Sequence, residues 1–192
     1  MTRQARAEGP GSGPQVGPGE LERGEEHLTT DIERLARDQI TAHIGHRFVG
    51  HDLARLVAAV LEAEGYVTKL SPPGPDAGVD VLAARGPLGF ERPHLCVQVK
   101  SSTSPVDVGV FRALQGTMAT LKADQGLLVA GAASRSPSRG EAGLSFFSVR
   151  LQDADALVGA LFKVYDRLPA ELQAELPLKR MWGLVLEEGE DV

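Results

Sequence analysis

Cysteine and long apolar runs are what this sequence of 192 residues most lacks. One cysteine excludes an intrachain disulfide framework and a multi-cysteine zinc centre. Cys96, set in Leu95-Cys96-Val97, reads as a small buried hydrophobe. No run approaches the ~18 apolar residues of a membrane span, and no apolar stretch follows the charged start as in a secretory signal. A cytoplasmic protein with no membrane partner is the expectation. Positive charge is also short: 20 Lys and Arg stand against 26 Asp and Glu, a net charge of −6 that counts against a phosphate-binding surface. Much of the acid lies at the ends. Residues 1–28 carry three Arg and five Glu, and residues 184–192 carry three Glu and one Asp, which leaves 17 of each sign from Thr29 to Gly183. Repeats of solenoid length are absent. The Gly-containing loop Gly74–Gly78 has no following Lys-Ser/Thr and opens a strand, which excludes a phosphate-cradling loop and an energy-driven translocase.

What remains, at 42% hydrophobic residues, suffices for one principal domain with a helical annex. Residues 1–28 are rich in Gly and Pro and read as a disordered leader. Thr30-Asp31-Ile32-Glu33 fits a capping box, and Ile32, Leu35, Ile40 and Ile44 follow at helical spacing, giving an N-terminal helix within 29–49. His43 and His46 sit at its end, where imidazoles favour the helix dipole. A second helix is expected from His51 to Glu64, stopped by Gly65. Strands are expected at Tyr66–Leu70, Val79–Ala84 and Leu95–Lys100, then a helix at Val108–Lys122, a strand at Gly126–Ala130, a flexible loop at Ala132–Gly143 and a strand at Phe146–Leu151. This order predicts a sheet covered by helices on both faces, over 50–152. From Asp153 to residue 192 the pattern is a helical extension with an acidic tail; Leu157, Leu161 and Tyr165 lie on one side, and Pro169 starts a short helix carrying Leu172 and Leu176.

Alternation along Leu95–Lys100 sends Leu95, Val97 and Val99 one way and Cys96, Gln98 and Lys100 the other. Asp80 begins the preceding strand after a Gly/Pro loop. An antiparallel hairpin would put the start of that strand beside the end of the next, gathering a carboxylate, a carboxamide and an ammonium. Such a set suits phosphodiester hydrolysis. Mg²⁺, with Mn²⁺ as a substitute, takes oxygen ligands, which Asp80, the Gln98 side chain and the Val99 carbonyl supply. Lys100 would orient or deprotonate the attacking water, or neutralise charge at phosphorus. The same residues also fit a plain cross-strand salt bridge between Asp80 and Lys100, with Gln98 satisfying a backbone group.

Longer stretches carry more. Leu53 to Tyr66, Ser71-Pro-Pro-Gly-Pro-Asp-Ala-Gly-Val-Asp80, Cys96-Val-Gln-Val-Lys100 and Asp107 to Ala130 resemble, in order and spacing, the Mrr-like restriction endonucleases of the PD-(D/E)xK nuclease superfamily. The resemblance implies a restriction-endonuclease-like α/β fold, a three-layer core with a central mixed sheet flanked by helices, here with an N-terminal helix and a C-terminal helical extension. It also implies catalytic roles for Asp80, Gln98 and Lys100. Two positions depart from the family pattern. Ala54 stands where many relatives have a helix Glu, with Asp52, Glu62 and Glu64 as candidate substitutes that read equally as solvated charges. Ala77-Gly78 stands where two glycines are usual. Asp76 reads as a turn residue.

Secondary candidates for DNA contact are His94, Ser101 to Ser104, Gln115, and Arg85, Arg92, Arg112, Arg135 and Arg139 if they share a face. The resemblance implies a Mg²⁺-dependent endonuclease on double-stranded DNA, used against foreign or modified DNA, as a homodimer or with a partner protein held by the extension. Two other functions fit: a non-catalytic or partner-activated DNA-binding subunit that keeps the fold, and a repair or junction nuclease.

Overall fold

In the computed structural model the described residues are 18–72, 78–101, 108–131 and 148–182, with side chains described from residue 32 onward. The described residues from Ala36 to Arg180 form one compact unit, and the described residues 18–35 with 181–182 belong to another. Within the second unit, Ile32, Leu35, Met181 and Trp182 are exposed.

Helix α1 spans Pro18–Arg47 and therefore begins well before Thr30. Thr30 to Glu33 lie within the helix and not at its start, and residues 18–28, read as part of a disordered leader, are helical. Pro18 suits a first helical turn, where its missing N–H has no partner to lose, and the Glu, Leu and Arg residues that follow are good helix formers. Helix α2, His51–Ala63, buries Leu53, Leu56, Val57, Val60 and Leu61. Each such side chain contributes about 1.5–3 kcal/mol on burial.

Among the described residues five strands follow: β1 Val67–Leu70, β2 Val81–Arg85, β3 Glu91–Lys100, β4 Gln125–Ala130 and β5 Val149–Gln152, with helix α3, Val108–Leu121, between β3 and β4. Their spatial order is also β1-β2-β3-β4-β5. The first two pairings are antiparallel and the last two parallel, so the sheet is mixed. Sequence alternation correctly sorts the two faces of β3. Leu95, Val97 and Val99 pack into one core with α2, while Cys96 packs into another with Leu114 and Met118 of α3. Two helical layers thus enclose the sheet. Segments 132–143 and 146–147, read above as loop and strand start, lie outside the described residues.

Helix α4, Ala154–Val164, starts at Asp153, whose carboxylate accepts the Ala156 N–H at 2.9 Å. A 3₁₀ turn, Tyr165–Arg167, leads to helix α5, Ala170–Glu175. Leu157, Leu161, Leu168, Leu172 and Leu176 are buried in the same core as α2. Tyr165 Oη ties this end down by donating to the Leu176 carbonyl at 2.7 Å and accepting the Leu178 N–H at 2.9 Å. Glu175 closes the arrangement: Arg55 donates to both of its oxygens at 2.9 Å, Arg47 pairs with it too, and its backbone carbonyl lies 2.9 Å from His43 Nε2. The site is half-buried, so these charge-assisted bonds outweigh an exposed pair. Glu175→Gln is expected to lower unfolding stability by about 1–2 kcal/mol, read as a drop in Tm of about 3–6 °C.

Candidate active site

The site lies where β3 ends and β2 begins. Asp80 directly precedes β2 rather than starting it, and its backbone is pinned on both sides: its N–H donates to the Val97 carbonyl at 2.9 Å, and its carbonyl accepts the Ser71 N–H at 2.9 Å. The Asp80 carboxylate accepts the Val99 N–H at 2.7 Å. An amide and a carbonyl of one extended residue point to the same edge of its strand, so the Val99 carbonyl faces the Asp80 side as well.

Gln98 and Lys100 flank Val99 on β3. Gln98 is the only buried polar or charged side chain among the described residues, at 8% exposure. Its Oε1 has no hydrogen-bond partner. Lys100, half-buried, ends the strand opposite Ala130 of β4. Gly78, two residues before Asp80, lies close to the Gln98 side chain. At Gly78, with φ 80°, a Cβ would lie 3.7 Å from Gln98 Nε2 and 3.9 Å from Thr117 Oγ1 of α3. A left-handed φ favours glycine there, and Ala77 lies outside the described residues. Asp80, Gln98, Val99 and Lys100 are thus brought into one neighbourhood. Thr117 of α3 also lies near Gly78, and nothing in the sequence pattern marks it.

The remaining candidates disperse. His94 is held away from the end of β3 that carries Lys100: its N–H donates to Asp124 at 2.8 Å, and its Nε2 lies 3.1 Å from the Phe90 carbonyl. Arg92 pairs with Asp124, and Arg85 stacks on Tyr66 at 4.2 Å, both at the opposite end of the β2–β3 hairpin from the site. Arg112 and Gln115 are exposed on α3. Asp76, Ser102 to Ser104, Arg135 and Arg139 lie outside the described residues. Ser101 accepts the Gly50 N–H at 3.1 Å. Ala54 is buried at 1% exposure. Asp52 pairs with Arg47 at 3.7 Å and Arg55 at 3.4 Å, Glu62 accepts from the Thr68 hydroxyl, and Glu64 is exposed. His46 is exposed, and Cys96 is wholly buried, which pushes its thiol pKa up and leaves it inert.

Among the described residues no three His, Cys, Asp or Glu side chains cluster to hold a metal. That set omits amide and carbonyl oxygens, which hard cations accept readily. A buried carboxamide oxygen without a partner costs about 1–3 kcal/mol, and its position beside the Asp80–Val99 contact fits an oxygen-liganded divalent ion.

Comparison with known proteins bears on the family and the fold. Residues 46–161 match the Mrr catalytic-domain family, described as restriction endonuclease. Among solved structures, the DNA modification-dependent restriction endonuclease AspBHI superposes with a TM-score of 0.54 at 17% identity, over 74% of this chain and 39% of that one. A structure of the restriction endonuclease MspJI with a 27-mer oligonucleotide gives a TM-score of 0.41 at 19% identity, over 85% of this chain and 37% of that one. The chain therefore spans well under half the length of either. No curated protein matches it significantly in sequence.

Proposed function

Since the chain belongs to the Mrr restriction endonuclease family, whose match covers more than half of it, we propose that it is a Mg²⁺-dependent DNA endonuclease that hydrolyses phosphodiester bonds of double-stranded DNA in defence against foreign or modified DNA. The observation that carries the metal-dependent reading is the buried Gln98 Oε1 with no partner, on the residue next to Val99, whose N–H binds the Asp80 carboxylate.

Asp80, Gln98 Oε1 and the Val99 carbonyl would hold Mg²⁺, with Mn²⁺ as a substitute. Such an ion, when bound, supplies charge neutralisation at the phosphate and a more acidic nucleophilic water. Asp80 contributes the charge of the ligand set, and its bond to the Val99 N–H fixes the carboxylate. Gln98 contributes a neutral oxygen from a buried position that fixes its direction. Lys100, at the open end of β3, orients the water or receives its proton, and its ammonium offsets the charge that grows on the phosphate oxygens as the nucleophile attacks and the P–O bond to the leaving oxygen breaks.

This account predicts that Mg²⁺ raises the Tm of the wild-type protein, since an ion that binds only the folded state stabilises it. Gln98→Leu removes the orphaned oxygen. Its metal-free form is expected to be at least as stable as wild type, while the Mg²⁺-induced rise in Tm largely disappears; differential scanning fluorimetry across a Mg²⁺ titration reads both. An unchanged Mg²⁺ response in Gln98→Leu contradicts the ligand set.

The burial of Ala54 where relatives carry a helix Glu favours a second reading, a DNA-binding subunit that cuts only with a partner protein or a second copy. Incubating the purified chain with supercoiled and linear plasmid, methylated and unmethylated, and with branched duplexes tests both. Metal-dependent cutting of duplex by the chain alone supports the first reading, with methylation preference deciding the modified-DNA part and branch preference replacing defence by repair. Binding without cutting supports the second.

A further inference from the structure

Lys100 ends its strand with support on one side. Its carbonyl accepts the Gly131 N–H at 2.7 Å as β4 ends, whereas the β2 pairing has stopped at Val97 and the Asp80 contact reaches only Val99. On the other side the next residue takes over: Ser101 Oγ accepts the N–H of Gly50, the N-cap of α2, at 3.1 Å. Two glycines make this junction. Gly50 has φ 57° and ψ −119°, backbone that a side chain would strain, and this turn aims its amide at Ser101. At Gly131, just after β4, a Cβ would come within 3.3 Å of both the Lys100 carbonyl oxygen and the Ser101 Cα, so a side chain there would crowd this peptide.

Resting on the nuclease reading above, we propose that Ser101 is a positioning residue for Lys100: its hydroxyl fastens the end of β3 to the N-terminus of α2 and holds the ammonium in register with the scissile phosphate. The bond joins the first core helix, which lacks the family's Glu, to the strand that carries the lysine. Its effect falls on the chemical step. A hydroxyl that locks one peptide contributes little to ground-state DNA binding, yet a displacement of about 1 Å in a reacting group lowers the rate by about a hundredfold.

Single-turnover cleavage of duplex DNA with Mg²⁺ by the full chain, alongside DNA-binding affinity and Tm, tests this in Ser101→Ala, Ser101→Thr and Lys100→Ala. Ser101→Ala is expected to cleave about tenfold or more slowly with unchanged DNA affinity and Tm, and Ser101→Thr, which keeps the acceptor oxygen, to recover most of the rate. Wild-type rates in Ser101→Ala beside an inactive Lys100→Ala overturn the positioning role and leave the nuclease reading intact. A rate loss that follows a lower Tm and that Thr does not restore also overturns it, in favour of a purely structural contact. Full activity in Lys100→Ala overturns the reading on which the inference rests.

Discussion

Asp80→Ala is expected to lower the cleavage rate by about a thousandfold or more while the protein stays folded, because Asp80 supplies the only full negative charge in the proposed ligand set. Two effects have to be separated. The carboxylate also accepts the Val99 N–H at 2.7 Å, and losing that bond lowers stability by about 1.5–3 kcal/mol. Asp80→Asn separates them: its amide oxygen keeps an acceptor for the Val99 N–H, so stability is expected near wild type while the charge, and with it cleavage, is lost. Parallel thermal melts and plasmid assays on both variants provide the check. Cleavage that follows Tm across the pair, instead of charge, assigns Asp80 a structural role.

Ending the chain at Gln152 is expected to abolish cooperative folding. Helical spacing from Asp153 onward suggests an extension available to a partner, but its apolar side is used inside the chain. Leu157, Leu161, Val164, Leu168, Leu172 and Leu176 are each at most 4% exposed and pack in the core that holds α2. At about 1.5–3 kcal/mol apiece their loss removes at least about 9 kcal/mol, against a net stability of about 5–15 kcal/mol for a domain. Truncation would also remove the helix that packs on α2 in that core. Near-ultraviolet circular dichroism and a thermal melt of residues 1–152 report the result; a sharp transition close to that of the full chain contradicts it.

Legibility in the sequence followed the reach of the interactions. The faces of β3 were readable because alternation is local and both faces are buried, so one pattern assigned Val97 and Val99 to one core and Cys96 to the other. The neighbourhood of Asp80, Gln98 and Lys100 follows from the antiparallel pairing of β2 and β3. The start of α1 did not follow, since a capping-box pattern can stand inside a helix that other residues have already begun. Nor did the docking of α4 and α5 onto α2: helical spacing marks an apolar face without naming what covers it. The Gly50–Ser101 bond joins residues far apart in sequence, and a lone Ser beside a Lys carries no periodic signal. The orphaned Gln98 oxygen is likewise a property of packing, visible only once its surroundings are in place.

The proposed function rests on a metal-dependent phosphodiesterase site at the end of β3. Single-turnover hydrolysis of a duplex with Mg²⁺, and with EDTA, by wild type and by Lys100→Ala of matched circular dichroism tests it most directly. The account predicts cleavage by wild type with Mg²⁺ only and a loss of about a thousandfold or more in Lys100→Ala; equal cleavage by both proteins, or cleavage that survives EDTA, would contradict it.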